Sequence, residues 1–75
     1  MKTKAKIVRL NESMGVGFIT IEKDGAKSYP FRFDKIKDYH GEQLKELRLK
    51  GIKENAEVTV EVEDDLVQSV EPSQP

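Results

Sequence analysis

Alternation of apolar and polar residues dominates the second half of the chain. From Ala56 to Glu63, Val58, Val60 and Val62 fall on one parity, and Glu57, Thr59, Glu61 and Glu63 on the other. Successive side chains of an extended strand point to opposite faces, so this run predicts a half-buried strand with its valines inward. The stretch Met14–Ile21 has the same period with two glycines set into it. Val16, Phe18 and Thr20 share one face; Gly17, Ile19 and Ile21 share the other. The isoleucines suit a core. Gly15 and Gly17 leave space where the strand bends or is approached closely by another backbone. Phe18 then stands on the outward face.

Three further strands are expected. Lys4–Leu10 carries apolar residues on both parities (Ala5 and Ile7 with Arg9, Val8 and Leu10 with Lys6), which predicts a bulge or a change of neighbours. In Ser28–Phe33, Tyr29, Phe31 and Phe33 oppose Pro30 and Arg32. Pro30 has no N–H for a ladder, so its amide side belongs at an edge or a bulge. Leu66–Glu71 offers Leu66 or Val67, and Val70, to the core. Asn11-Glu12-Ser13, Lys23–Lys27 with its Asp24-Gly25 pair, and Asp64-Asp65 read as turns. Between the third and fourth strands the period changes. Leu44, Leu47 and Leu49 lie among strong helix formers, with Gly51 as a stop, so a short helix over 42–49 packs its leucines on the sheet. This order of elements predicts an all-β domain over 1–71: a five-stranded Greek-key barrel of the OB type, with a short helix between strands 3 and 4. Residues 72–75, Pro-Ser-Gln-Pro, are expected to fray.

Composition narrows the chemistry. Seventy-five residues without cysteine make one small domain that can rely neither on disulfides nor on Cys-based zinc. No apolar run is long enough to cross a bilayer, and no hydrophobic signal segment follows the basic start. The cytoplasm is the default location. His40 is the single histidine and has no carboxylate at ligand spacing, so neither a metal nor another cofactor is expected. The serines lack a partner base other than His40, and no G-x-x-x-x-G-K loop occurs, so no enzymatic activity is expected. Net charge is −1, but it is unevenly spread. Residues 1–53 hold all 13 lysines and arginines with seven acids; residues 54–75 hold seven acids and no base. One surface suited to a polyanion is therefore expected, unless folding interleaves the halves.

The residues also resemble a family. Lys6-Ile7-Val8-Arg9-Leu10-Asn11 followed by Gly15-Val16-Gly17-Phe18-Ile19 is similar to the opening K-V-K-W-F-N and K-G-F-G-F-I of bacterial cold-shock proteins. Tyr29-Pro30-Phe31-Arg32-Phe33 stands where they carry V-F-V-H-F, and Lys53-Glu54-Asn55-Ala56-Glu57-Val58 resembles their K-E-G-x-x-V. The similarity covers residues 4–36, is looser over 51–71, and leaves out 37–50. It implies an OB barrel that binds single-stranded RNA or DNA by stacking bases on aromatics and holding phosphates with cations. Carried over position by position, Phe18 and Phe33 keep motif aromatics. Arg32 stands in for histidine and Arg9 for tryptophan; a guanidinium plane can still stack on a base. Val16 replaces the first motif aromatic, and Lys6 supplies a phosphate contact. Arg9, Val16, Phe18, Arg32, Phe33 and Lys6 are thus the candidate nucleic-acid-binding residues. Each lost aromatic forfeits about 1–3 kcal/mol of stacking, so weak, sequence-tolerant binding is expected. The alternative is a protein-interaction module of the same fold, whose partner meets the aliphatic Leu10, Met14, Val16 and Pro30.

Overall fold

The computed structural model describes residues 2–21, 25 and 27–73. Five antiparallel strands form one curled sheet, a half-barrel: β1 (Lys2–Asn11), β2 (Val16–Ile21), β3 (Lys27–Arg32), β4 (Glu57–Glu63) and β5 (Leu66–Pro72). The hydrogen-bonded order is β3-β2-β1-β4-β5. β3 and β5 end that order, and the curl brings them face to face across the open side. Beyond β3 the chain clips onto β5: Ile36 bridges Val70, and the Lys37 N–H donates to the Val70 carbonyl at 2.7 Å. A single-turn 3-10 helix (Phe33–Lys35) leads into that clip, and one short helix, α1 (Leu44–Leu49), lies between β3 and β4.

The concave face holds the core. Ile7, Ile19, Leu47, Ile52, Val58, Val60 and Val70 are essentially sealed from solvent. Tyr29, Phe31, Phe33 and Ile36 are buried with them. Two bulges set the inward positions. In β1 the register with β2 shifts between Ile7 and Arg9, so Val8 is the extra residue and Ile7 and Leu10, three apart, both turn inward. In β5 the register with β4 shifts so that Gln68 is extra, and Val67 and Val70 both turn inward. An added residue reverses the parity of everything after it. Leu10 therefore belongs to the core at 8% exposure, which removes it from the aliphatic surface patch expected of it. The bulge resolves the alternative at Leu66 and Val67 as well: Val67 is inside, and Leu66 is 63% exposed.

α1 is held at both ends. The Gln43 N–H donates to Glu46 Oε1 at 2.9 Å, and the Leu44 N–H donates to Glu12 Oε2 at 2.8 Å, which ties the β1–β2 turn to the helix. At its end Ile52 N–H bonds back to Leu47 O and Gly51 N–H to Arg48 O, with Gly51 at φ 96°. That is the double reverse bond of a glycine-terminated helix. Leu47 is buried and Leu44 packs at the edge of the core, but Leu49 is 89% exposed, contrary to the expectation for the helix leucines. Pro72 pairs with Val58, and the Ser73 and Thr59 hydroxyls are 2.9 Å apart, so the expected tail is held at its first two residues. The expected Lys23–Lys27 hairpin loop lies outside the described residues apart from Gly25 and Lys27.

Candidate functional site

The convex face of β1, β2 and β3 is read row by row from the strand registers. Arg9 lies opposite Phe18, and Phe18 opposite Pro30. The next row is Asn11, Val16 and Arg32. On the other side the row is Lys6, Thr20 and Ser28. Directly opposed side chains stand roughly 5 Å apart at Cβ, and diagonal ones roughly 7–8 Å. Phe18 is therefore flanked by Arg9 in its own row and by Arg32 on the diagonal. The ring is half-buried, and both arginines are exposed.

The β1 bulge makes this grouping. With regular alternation Arg9 would share the inward parity of Ala5 and Ile7; the extra Val8 turns it outward beside Phe18. Val8 itself is 49% exposed next to it, a surface apolar residue that strict period-2 reading of the sequence leaves unassigned between two parities. Gly17 is the counterpart on the inner face of β2. Its missing side chain is filled by the Phe31 ring and the Leu10 side chain: a Cβ there would lie 2.6 Å from Phe31 Cζ and 2.9 Å from Leu10 Cδ2. The close approach expected at this glycine is thus made by core side chains and not by a backbone.

The electrostatics are local. Arg32 is ion-paired with Asp34 at 3.0 Å, both largely exposed. Arg9 carries no ion pair among the described residues. Lys6 faces outward opposite Glu57 of β4. Among the described residues, Glu42 is the carboxyl with a large shift: the Lys50 ammonium, then the His40 backbone N–H, hold it down to about 2. That pair lies in the loop around α1, away from the rows described above.

Five of the six expected residues, Lys6, Arg9, Val16, Phe18 and Arg32, share the convex face. Phe33 does not stand with them. It is 4% exposed, with its ring 6.4 Å from that of Phe31 and edge-on to Tyr39 at 6.3 Å. The reason is geometric. β3 ends at Arg32, and the turn of 3-10 helix that starts at Phe33 carries the ring under the sheet. Only an edge of it reaches the surface, at the floor of a depression of about 350 Å³ walled by Met14, Val16, Arg32 and Tyr39. Met14 stands on that rim, 72% exposed. Among the described residues, no cluster of three or more metal-ligating side chains occurs, and no helix is long and apolar enough to cross a membrane. Neither the models of known protein families nor the curated proteins include a match to this chain.

Proposed function

We propose that this chain is a small barrel of the OB type, cold-shock-like in its motifs, that binds single-stranded nucleic acid weakly and with little sequence preference. A base stacks on Phe18, the Arg9 guanidinium lies beside that base or against its phosphate, and Arg32 meets the next phosphate. Val16 supplies apolar contact at the edge of the base, and Lys6 attracts the strand at longer range. The observation that carries this reading is the juxtaposition of one half-buried ring with two exposed guanidiniums in adjacent rows of a single sheet face. Stacking tolerates any base because every base has a π-face, and two or three cations give a shallow electrostatic hold. The order of elements and the approach of β3 to β5 support the OB assignment.

Titration of labelled oligo-T and oligo-U at low salt, followed by amide shifts, tests the reading. Shifts should centre on residues 8–33. Phe18→Ala should weaken binding by about 1–3 kcal/mol, roughly 5- to 150-fold. With two to three phosphates neutralised, log K should fall against log salt with a slope of about −1.4 to −2.1. Unmoved amides on this face at millimolar strand would remove the proposal.

A further inference from the structure

The open side of the half-barrel carries a second surface. Between β3 and β5 runs an apolar groove of about 380 Å³. Val16, Pro30, Phe31 and Val67 form its walls, and Arg32 and Lys35 stand on one rim. On the opposite rim Leu66 projects, 63% exposed. Glu63 lies directly across the β4–β5 ladder from Leu66 and so shares its face, and Asp64-Asp65 form the turn beside it. One patch thus holds an apolar hole with two cations and an apolar knob with three carboxylates.

A two-fold axis repeats the same patch on both partners, so an interface of that symmetry must be complementary to itself. This patch meets that condition in both shape and charge. We propose that two copies of this chain associate through the β3–β5 seam, Leu66 of each entering the other's groove, with Glu63, Asp64 and Asp65 set against Arg32 and Lys35. Addition of a β-strand to the β3 edge is a poorer use of the seam. The Phe33 N–H donates to Gly15 across β2, so by alternation Pro30 and Arg32 turn their amide groups to the free edge, and Pro30 has no N–H to offer. A knob and a groove of this size fall short of the roughly 1,200 Å² of a standard stable interface, so the dimer is weak, with Kd on the order of 0.1–1 mM. The inference shares Val16 and Arg32 with the nucleic-acid reading but does not rest on it, and the experiment contains no nucleic acid.

Sedimentation of the chain from about 10 µM to about 1 mM should show a concentration-dependent shift toward dimer, reduced in high salt. Leu66→Ser should hold it monomeric over that range. A charge swap is decisive. One variant carries Arg32→Glu and Lys35→Glu; the other carries Glu63→Lys, Asp64→Asn and Asp65→Gly, the last two chosen because both turn residues have positive φ. Each alone should be monomeric, since like charges then face each other. Their equimolar mixture should associate, since both contacts regain opposite charge. Circular dichroism checks that each variant is folded. A wild-type chain that stays monomeric at the top concentration, or folded swap variants whose mixture does not associate, would overturn the proposal.

Discussion

Gly17→Ala tests the packing that underlies the convex face. Gly17 is buried on the inner side of β2, and its backbone is not in the left-handed region, so alanine meets no conformational obstacle there. The obstacle is contact. The new methyl would stand 2.6 and 2.7 Å from two carbons of the Phe31 ring and 2.9 Å from Leu10 Cδ2. Comfortable carbon contacts lie at about 3.5–4.0 Å, so the ring must retreat by about 1 Å. Phe31 is 3% exposed and packs on Phe33, which leaves it little room to retreat. Overpacking of this kind costs about 1–3 kcal/mol. The reduced freedom of the unfolded chain returns about 0.4–1 kcal/mol. A net loss of about 1–2 kcal/mol follows. With a urea m-value of about 1 kcal/mol/M for so short a chain, the midpoint should fall by about 1–2 M at unchanged slope. Phe31→Leu in the same chain should relieve the clash, so the double variant should be more stable than the sum of the singles by about 1 kcal/mol. Gly15→Ala is the control. Nothing lies within 4 Å of its Cβ position, but its φ is +66°, so it should cost about 1–2 kcal/mol that Phe31→Leu does not restore. An unchanged or raised midpoint for Gly17→Ala, or strict additivity with Phe31→Leu, would refute the reasoning.

Three other perturbations have definite outcomes. Asn55 sits at φ 68° and donates its N–H to the Ile7 carbonyl at 2.7 Å, pinning the turn before β4 to the bulged stretch of β1. Asn55→Gly should keep the thermal midpoint or raise it, and Asn55→Val should cost about 1–2 kcal/mol, read from the same melts. Glu42 is held at about 2 by the Lys50 ammonium and then the His40 N–H, against an ordinary 4.5. Because the folded value is the lower one, its contribution is complete above about pH 4.5 and drains away as pH falls toward 2; Glu42→Gln should flatten the stability–pH curve in that window and leave its shape above it unchanged. Asp34→Asn removes the carboxylate 3.0 Å from Arg32 and should tighten oligo-U binding about 2- to 5-fold at low salt, by titration, with the gain shrinking as salt rises.

What the sequence disclosed and what it hid divide along a physical line. Period-2 runs expose strands wherever the ladder is regular, as at Val58 and Val60, which are sealed, and at Ile19 and Ile21, which lie inside. The missing N–H of Pro30 calls for an edge or a bulge, and the structure has β3 at the end of the strand order. A bulge breaks the period without a mark in composition. Apolar residues on both parities of β1 signal one, but they do not say which residue is extra; the resemblance puts Arg9 beside Phe18, where the structure has it, and leaves Leu10 in a surface patch, where the structure does not. The paired inward residues three apart, Ile7 with Leu10 and Val67 with Val70, are the trace that a sharper reading would use. Phe33 was misplaced for a different reason. It follows the parity of Tyr29 and Phe31, which are core, yet its family position argued for the surface. The pattern gave the better answer, because the strand stops one residue earlier and the chain turns under the sheet. Leu49 shows the limit of helical spacing: it is two residues past Leu47, which puts it on the far side of a helix only six residues long.

The two charged halves of the chain meet in the fold, through the pairs Lys2–Glu71, Lys37–Glu71 and Arg48–Glu54 among others, and where they meet decides which cation can serve a polyanion. One seam between basic and acidic halves is the β1–β4 ladder, where β4 carries Glu57 and Glu61 next to β1; the other is the approach of β3 to β5. Neighbouring strands lie about 5 Å apart, and charges are screened beyond a Debye length of about 8–10 Å. Lys6, directly across from Glu57, is well inside that distance, and its attraction for a phosphate is offset at source. Arg32, on β3, is three strands from β4 along the sheet and faces none of its acids across a ladder. Its ion-pair partner is Asp34. Arg9 is restrained by neither. The paired stretch of β4 opposes Lys2 to Lys6 and stops short of Arg9. In the proposed complex, a nucleic-acid strand crossing Phe18 would run from the Arg9 end of β1 toward Arg32 on β3 and away from Glu57 and Glu61 of β4. On that proposal most of the electrostatic hold would fall on Arg9, which is on this face because one additional valine stands before it.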